Sequence, residues 1–87
     1  MILEFSLVAE QSVCVGKEDA CLQSSVEDCA SNCANKSFMF MFGRPGEKCY
    51  GSKCNCYCQT GASKDGSCQQ ISNTGYDLYR YQPDMRE

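Results

Sequence analysis

The sequence predicts a small disulfide-rich α+β domain, one short helix stapled to a two- or three-stranded antiparallel sheet. Three observations predict it. Nine of the 87 residues are cysteine, a density found in small scaffolds that fold around disulfides. Cys29 and Cys33 are spaced i, i+4; on a helix their sulfurs share one face, about 6 Å apart along the axis. Cys54 and Cys56 are spaced i, i+2; on a strand they also share a face, about 6.6 Å apart. The two ladders match in pitch, so a helix laid on the strand brings paired thiols within the roughly 4.4–6.8 Å Cα separation that a disulfide requires.

Length and charge narrow the function. A chain of 87 residues makes one small domain whose core is limited and needs covalent staples. Thiols at this density stay paired in an oxidising compartment, so the mature protein is expected to be secreted, that is, extracellular. A metal-thiolate protein is the competing reading; the chain has no histidine and no Cys-x-x-Cys pair, so the usual zinc spacings are missing and no metal or other cofactor is expected. The net charge is −3 with both signs scattered along the chain. No basic stripe is present to neutralise phosphates, which argues against nucleic acid, and against binding to anionic membranes. No apolar run reaches membrane-spanning length.

Taken in order, residues 1–13 read as an N-terminal strand or the remnant of a leader. Leu3, Phe5, Leu7 and Ala9 alternate with polar Glu4, Ser6 and Glu10, the period of a half-buried strand. The same stretch lacks the basic start of a signal peptide, and Glu4 interrupts its apolar part. Residues 14–68 form the stapled domain. Cys14 and Cys21 bracket a polar loop, Val15 to Ala20. A helix is predicted over about Ser25 to Asn35, with Ser24 and Glu27 in capping-box spacing and Glu27 and Asp28 at its positive end. Asn35-Lys36-Ser37 is a glycosylation sequon. Phe38-Met39-Phe40-Met41-Phe42 shows no two-faced pattern: it reads either as a buried strand or as an exposed contact patch. Gly43-Arg44-Pro45-Gly46 should turn the chain. Glu47 to Tyr57 reads as a hairpin turning near Tyr50 to Lys53, with Cys49 on its outgoing strand and Cys54, Cys56 and Cys58 on its return. Gln59 to Ser67 is loop by composition. Residues 69–87 form a cysteine-free tail whose Tyr76, Tyr79 and Tyr81 are either recognition anchors or a cover for the sheet.

The order Cys14, Cys21, Cys29-x3-Cys33, Cys49-x4-Cys54-x-Cys56, Cys68 resembles the cysteine-stabilised αβ superfamily. That knottin-like group includes defensins and long-chain scorpion toxins. The resemblance implies the pairings Cys14–Cys68, Cys21–Cys49, Cys29–Cys54 and Cys33–Cys56; from the residues alone, eight cysteines allow 105 connectivities. The chain departs from the family in its Gly46-Glu-Lys-Cys49 spacing, its acidic balance and its ninth cysteine, Cys58. Cys58 extends the strand ladder by one step, but the matching helical position is Ser37. Cys58 is therefore the expected odd thiol, free or bridged to a second chain in a homo- or heterodimer. A slipped register, with Cys56 and Cys58 stapled and Cys54 left over, is the alternative.

Catalysis is not expected, because without histidine the Ser–His and Cys–His arrangements are excluded. The expected function is a secreted ligand for an extracellular protein, an ion channel or a cell-surface receptor, in the manner of toxins and signalling peptides. Its expected contact residues are Phe38, Phe40, Phe42, Arg44, Lys53, Tyr57, Tyr79 and Tyr81. A host-defence antimicrobial defensin and a disulfide-linked dimer subunit are the alternatives.

Overall fold

The computed structural model describes residues 4–82. Met1–Leu3 of the N-terminal reading and residues 83–87 of the tail lie outside the described residues. The chain forms β1 (Phe5–Ala9), β2 (Ser12–Cys14), β3 (Asp19–Gln23), α1 (Val26–Cys33), β4 (Met39–Gly43), β5 (Cys49–Tyr50), β6 (Lys53–Cys58), β7 (Gln70–Ser72) and β8 (Tyr76–Tyr81). The main antiparallel sheet runs β1-β8-β4-β6-β3, with β5 also paired to β6; β2 and β7 make a separate two-stranded ribbon. This is a small disulfide-rich α+β fold with a larger sheet than expected.

The sheet is the middle of three layers. On one face α1 packs against β3, β4 and β6, over a core of Cys29, Ala30, Cys33, Phe40, Cys56, Cys58 and Tyr81. On the other face the β2–β7 ribbon helps to enclose Val13, Cys14, Met39, Met41, Tyr76 and Leu78. β4 lies between both cores, which accounts for its unbroken apolar run. Phe40 and Phe42 point to the helix side, Met39 and Met41 to the ribbon side. A strand covered on both faces has no polar face to alternate with. Phe38–Phe42 is thus a central strand with its entry residue, and the exposed-patch reading falls: Met39 and Phe40 are 0% exposed.

The tail reading is corrected in the same way. β8 inserts between β1 and β4, registering Phe40 with Tyr79 and Phe5 with Tyr81. Tyr76 and Leu78 serve the ribbon-side core, while Tyr79 and Tyr81 serve the helix-side core. Three tyrosines and Leu78 thus supply the buried side chains of this strand. The polar loop after Cys14 is also shorter than expected, because β3 already begins at Asp19.

The helix is shorter than predicted, and its cap is Ser25, not Ser24. The Ser25 hydroxyl accepts the Asp28 backbone N–H at 3.1 Å, while Glu27 and Asp28 occupy the first turn. An eight-residue helix does not persist alone in water. Two disulfides hold it, Cys29–Cys56 and Cys33–Cys58, with Cα separations of 5.6 and 5.1 Å.

These staples correct the implied pairings Cys29–Cys54 and Cys33–Cys56 by one pleat step. Cys54 is bonded instead to Cys49, which lies directly opposite it across the hairpin. Cys21–Cys49 is excluded by topology. Cys21 is on β3, paired to one side of β6, and Cys49 is on β5, paired to the other. Two inter-strand spacings separate them, about 9.6 Å, beyond disulfide reach. Cys14–Cys68 is present as the resemblance implies. The odd cysteine is therefore Cys21 and not Cys58.

Candidate recognition surface

The hairpin tip carries the most exposed anchor. Cys49 opposes Cys54 and Tyr50 opposes Lys53, leaving Gly51 and Ser52 to reverse the chain. Gly51 has φ of 70°, the left-handed region that glycine enters without steric cost. The Cys49–Cys54 disulfide closes the ladder immediately below the tip. Gly43 lets the preceding turn lie against this hairpin, since a Cβ there would meet the Lys48 carbonyl oxygen at 2.8 Å. The result is a two-residue turn on a cross-linked ribbon, with the Lys53 side exposed and Tyr50 59% exposed.

The other expected contact residues divide by burial. Phe40 stacks on Tyr79 with ring centroids 5.1 Å apart and planes at 10°. Phe5 meets both edge-on, and Tyr81 packs against Phe40 at 5.2 Å. The Tyr81 hydroxyl donates to the Ala30 carbonyl, fastening β8 to α1. Phe40 and Tyr81 are core residues and do not form a contact surface; Tyr79 and Phe42 are half-buried against the same cluster. Phe38 is half-buried before β4. Arg44 is engaged internally, donating to Asp77 Oδ1 at 2.6 Å. The same oxygen accepts the Gln11 N–H at 3.0 Å, so Asp77 ties the β4–β5 turn to the β1–β2 turn.

Tyr57 lies on the ribbon side, edge-on to Tyr76 at 5.4 Å. A hydrogen bond with Tyr76, followed by burial, raises its pKa from 10.0 to about 12. The phenol proton is thus held more tightly in the folded chain than in the unfolded one. Its contribution to stability is full below pH 10 and is lost as pH climbs toward 12. In a rapid phenolate-absorbance titration, Tyr57→Phe is expected to remove the last tyrosine step; an unchanged curve contradicts the assignment.

Of the expected contact residues, only Lys53 falls on the tip and is exposed. Sequence reasoning assigned Tyr50 to the turn and did not count it among the candidate contact residues. The signal was there: an aromatic residue between a cysteine and a glycine, where turn chemistry favours small polar residues.

The sulfurs of Cys29, Cys33 and Cys56 lie within 4.8 Å of one another. All three are in disulfides, and a bridged sulfur does not offer the thiolate that binds a metal. The Cys21 thiol is half-buried, with Asn32 Nδ2 at 3.2 Å and Gln23 Nε2 at 3.6 Å from its sulfur. Asn35 of the sequon is exposed just beyond α1. No protein-family model matches the chain, and no curated protein or solved structure matches it.

Proposed function

We propose that the protein is a secreted, non-enzymatic binding module that engages an extracellular protein, an ion channel or cell-surface receptor, through the β5–β6 tip. The observation that carries this reading is the exposed Tyr50–Lys53 pair directly above the Cys49–Cys54 disulfide. Tyrosine offers a large amphipathic contact area at low conformational cost and is enriched among binding hot spots. The cross-link removes hairpin motion before binding, so less ordering cost falls on the complex. The double helix-to-strand staple supports the resemblance to the cysteine-stabilised αβ superfamily, whose members present loops from a similar rigid frame. The acidic balance favours a protein target over an anionic bilayer.

The test is binding of fluorescently labelled native protein to cells expressing a panel of channels and receptor ectodomains. Saturable binding, displaced by unlabelled protein and weakened about 30-fold by Tyr50→Ala, is the expected result, corresponding to a hot spot of about 2 kcal/mol. Non-saturable uptake onto anionic vesicles, or full binding by a Tyr50→Ala/Lys53→Ala variant, overturns it.

A further inference from the structure

Cys21 is not isolated. It stands directly opposite Cys56 in the β3–β6 register, and residues opposed in antiparallel strands project their side chains to the same face, with Cβ atoms about 4.5–5.5 Å apart. The Lys48–Asn55 backbone hydrogen bond makes Cys49–Cys54 a non-hydrogen-bonded pair, so Cys21 and Cys56 form the hydrogen-bonded kind, with Cα atoms about 5.5 Å apart, still within the span of a disulfide. The Cys21 thiol therefore faces Cys29–Cys56 and Cys33–Cys58, two bridges so close that Cys33 Sγ lies 3.7 Å from Cys56 Sγ. One side-chain amide spans this group, with Asn32 Nδ2 at 3.2 Å from Cys21 Sγ and 3.5 Å from Cys58 Sγ. The edge strand thus adds a free thiol to a packed row of disulfide sulfurs.

We infer that Cys21 is a built-in exchange nucleophile, converting the Cys29–Cys56 bridge reversibly into Cys21–Cys56. The Cys21 thiolate attacks Cys56 Sγ. The new Cys21–Cys56 bond forms as the Cys29–Cys56 bond breaks, and the bonding electron pair leaves on Cys29 Sγ. That sulfur takes up a proton, replacing the one Cys21 gave to solvent, so no oxidant or reductant is consumed. The Met41 carbonyl oxygen, 3.6 Å from Cys29 Sγ, is placed to accept the S–H of the released thiol. The two forms differ in what is tied together. In one, α1 is held to β6 by two disulfides and β3 has no covalent link to it. In the other, β3 is linked covalently to β6, and α1 keeps the single staple at Cys33–Cys58. The device sets how firmly the helix is attached, and it does not depend on the binding surface proposed above.

The experiment incubates the native, unreduced protein at a series of pH values and stops exchange with acid. The chain is then unfolded in guanidinium, its free thiol is labelled with a maleimide at mildly acidic pH, and the linked peptides are mapped by mass spectrometry. The expected result is label divided between Cys21 and Cys29, with a Cys21–Cys56 linked peptide accompanying the second. Its rate of appearance should rise by up to about tenfold per pH unit, since the thiolate attacks. Cys21→Ser should lose the Cys29 label entirely. Label confined to Cys21 at every pH and time overturns the inference. A label on Cys33 with a Cys21–Cys58 peptide overturns it too, by placing the attack on the other bridge.

Discussion

Replacing Cys14 and Cys68 together by alanine is expected to cost about 4 kcal/mol of stability, against about 2 kcal/mol for the Cys49/Cys54 pair. The two bridges close loops of very different length, with sequence separations of 54 and 5, and a cross-link restricts the unfolded chain more when its loop is longer. Cys14–Cys68 also anchors the β2–β7 ribbon, since Cys14 belongs to the ribbon-side core and its sulfur lies 3.7 Å from Met39 Sδ. Alanine is the right replacement because serine would leave a buried hydroxyl in an apolar site, adding a cost unrelated to the loop. Guanidinium unfolding with the remaining bridges intact measures both losses. Equal losses would show that loop closure does not govern these bridges.

Phe40→Ala is expected to cost about 3–5 kcal/mol, a large part of the roughly 5–15 kcal/mol that holds a small domain folded. Phe40 is wholly buried on a central strand and touches the rings of Phe5, Tyr79 and Tyr81. Its removal takes a partner from three aromatics at once and opens a cavity beneath the helix, in the core that α1 shares with β4 and β6. Near-ultraviolet circular dichroism during denaturation reads the change directly. A loss below about 1 kcal/mol would mean that the disulfides alone carry the helix-side core.

Much of the architecture was legible where local chemistry and periodicity agreed. Glu27 and Asp28 after the serines marked the helix start to within one residue, and Cys29 and Cys33 marked the face it buries. The hairpin followed from Gly51 and Ser52 between two cysteine-bearing runs. The staple register was not legible, because Cys54, Cys56 and Cys58 repeat at one interval and a shift by one step leaves the pattern unchanged. What settles it is non-local: Cys49 falls opposite Cys54, and β3 occupies the other side of β6. β8 was hidden for a related reason. It buries side chains on both faces, Tyr76 and Leu78 on one and Tyr79 and Tyr81 on the other, with Asp77 and Arg80 interspersed, so it shows neither a clean alternation nor the aliphatic signature of a core strand. At the hairpin tip Lys53 stood among the expected contact residues and the exposed Tyr50 did not. Phe40 and Tyr81 were mistaken for surface anchors because aromatic content alone does not distinguish a core ring from a contact ring.

The position of β8 bears on how the protein is made. It separates β1 from β4 in space, yet it follows every cysteine along the chain. During vectorial synthesis all the thiols have therefore emerged before the strand that completes the sheet. Any bridge closed at that stage is chosen without β4's neighbour in place, whereas a bridge closed after residue 81 arrives is chosen on the completed sheet.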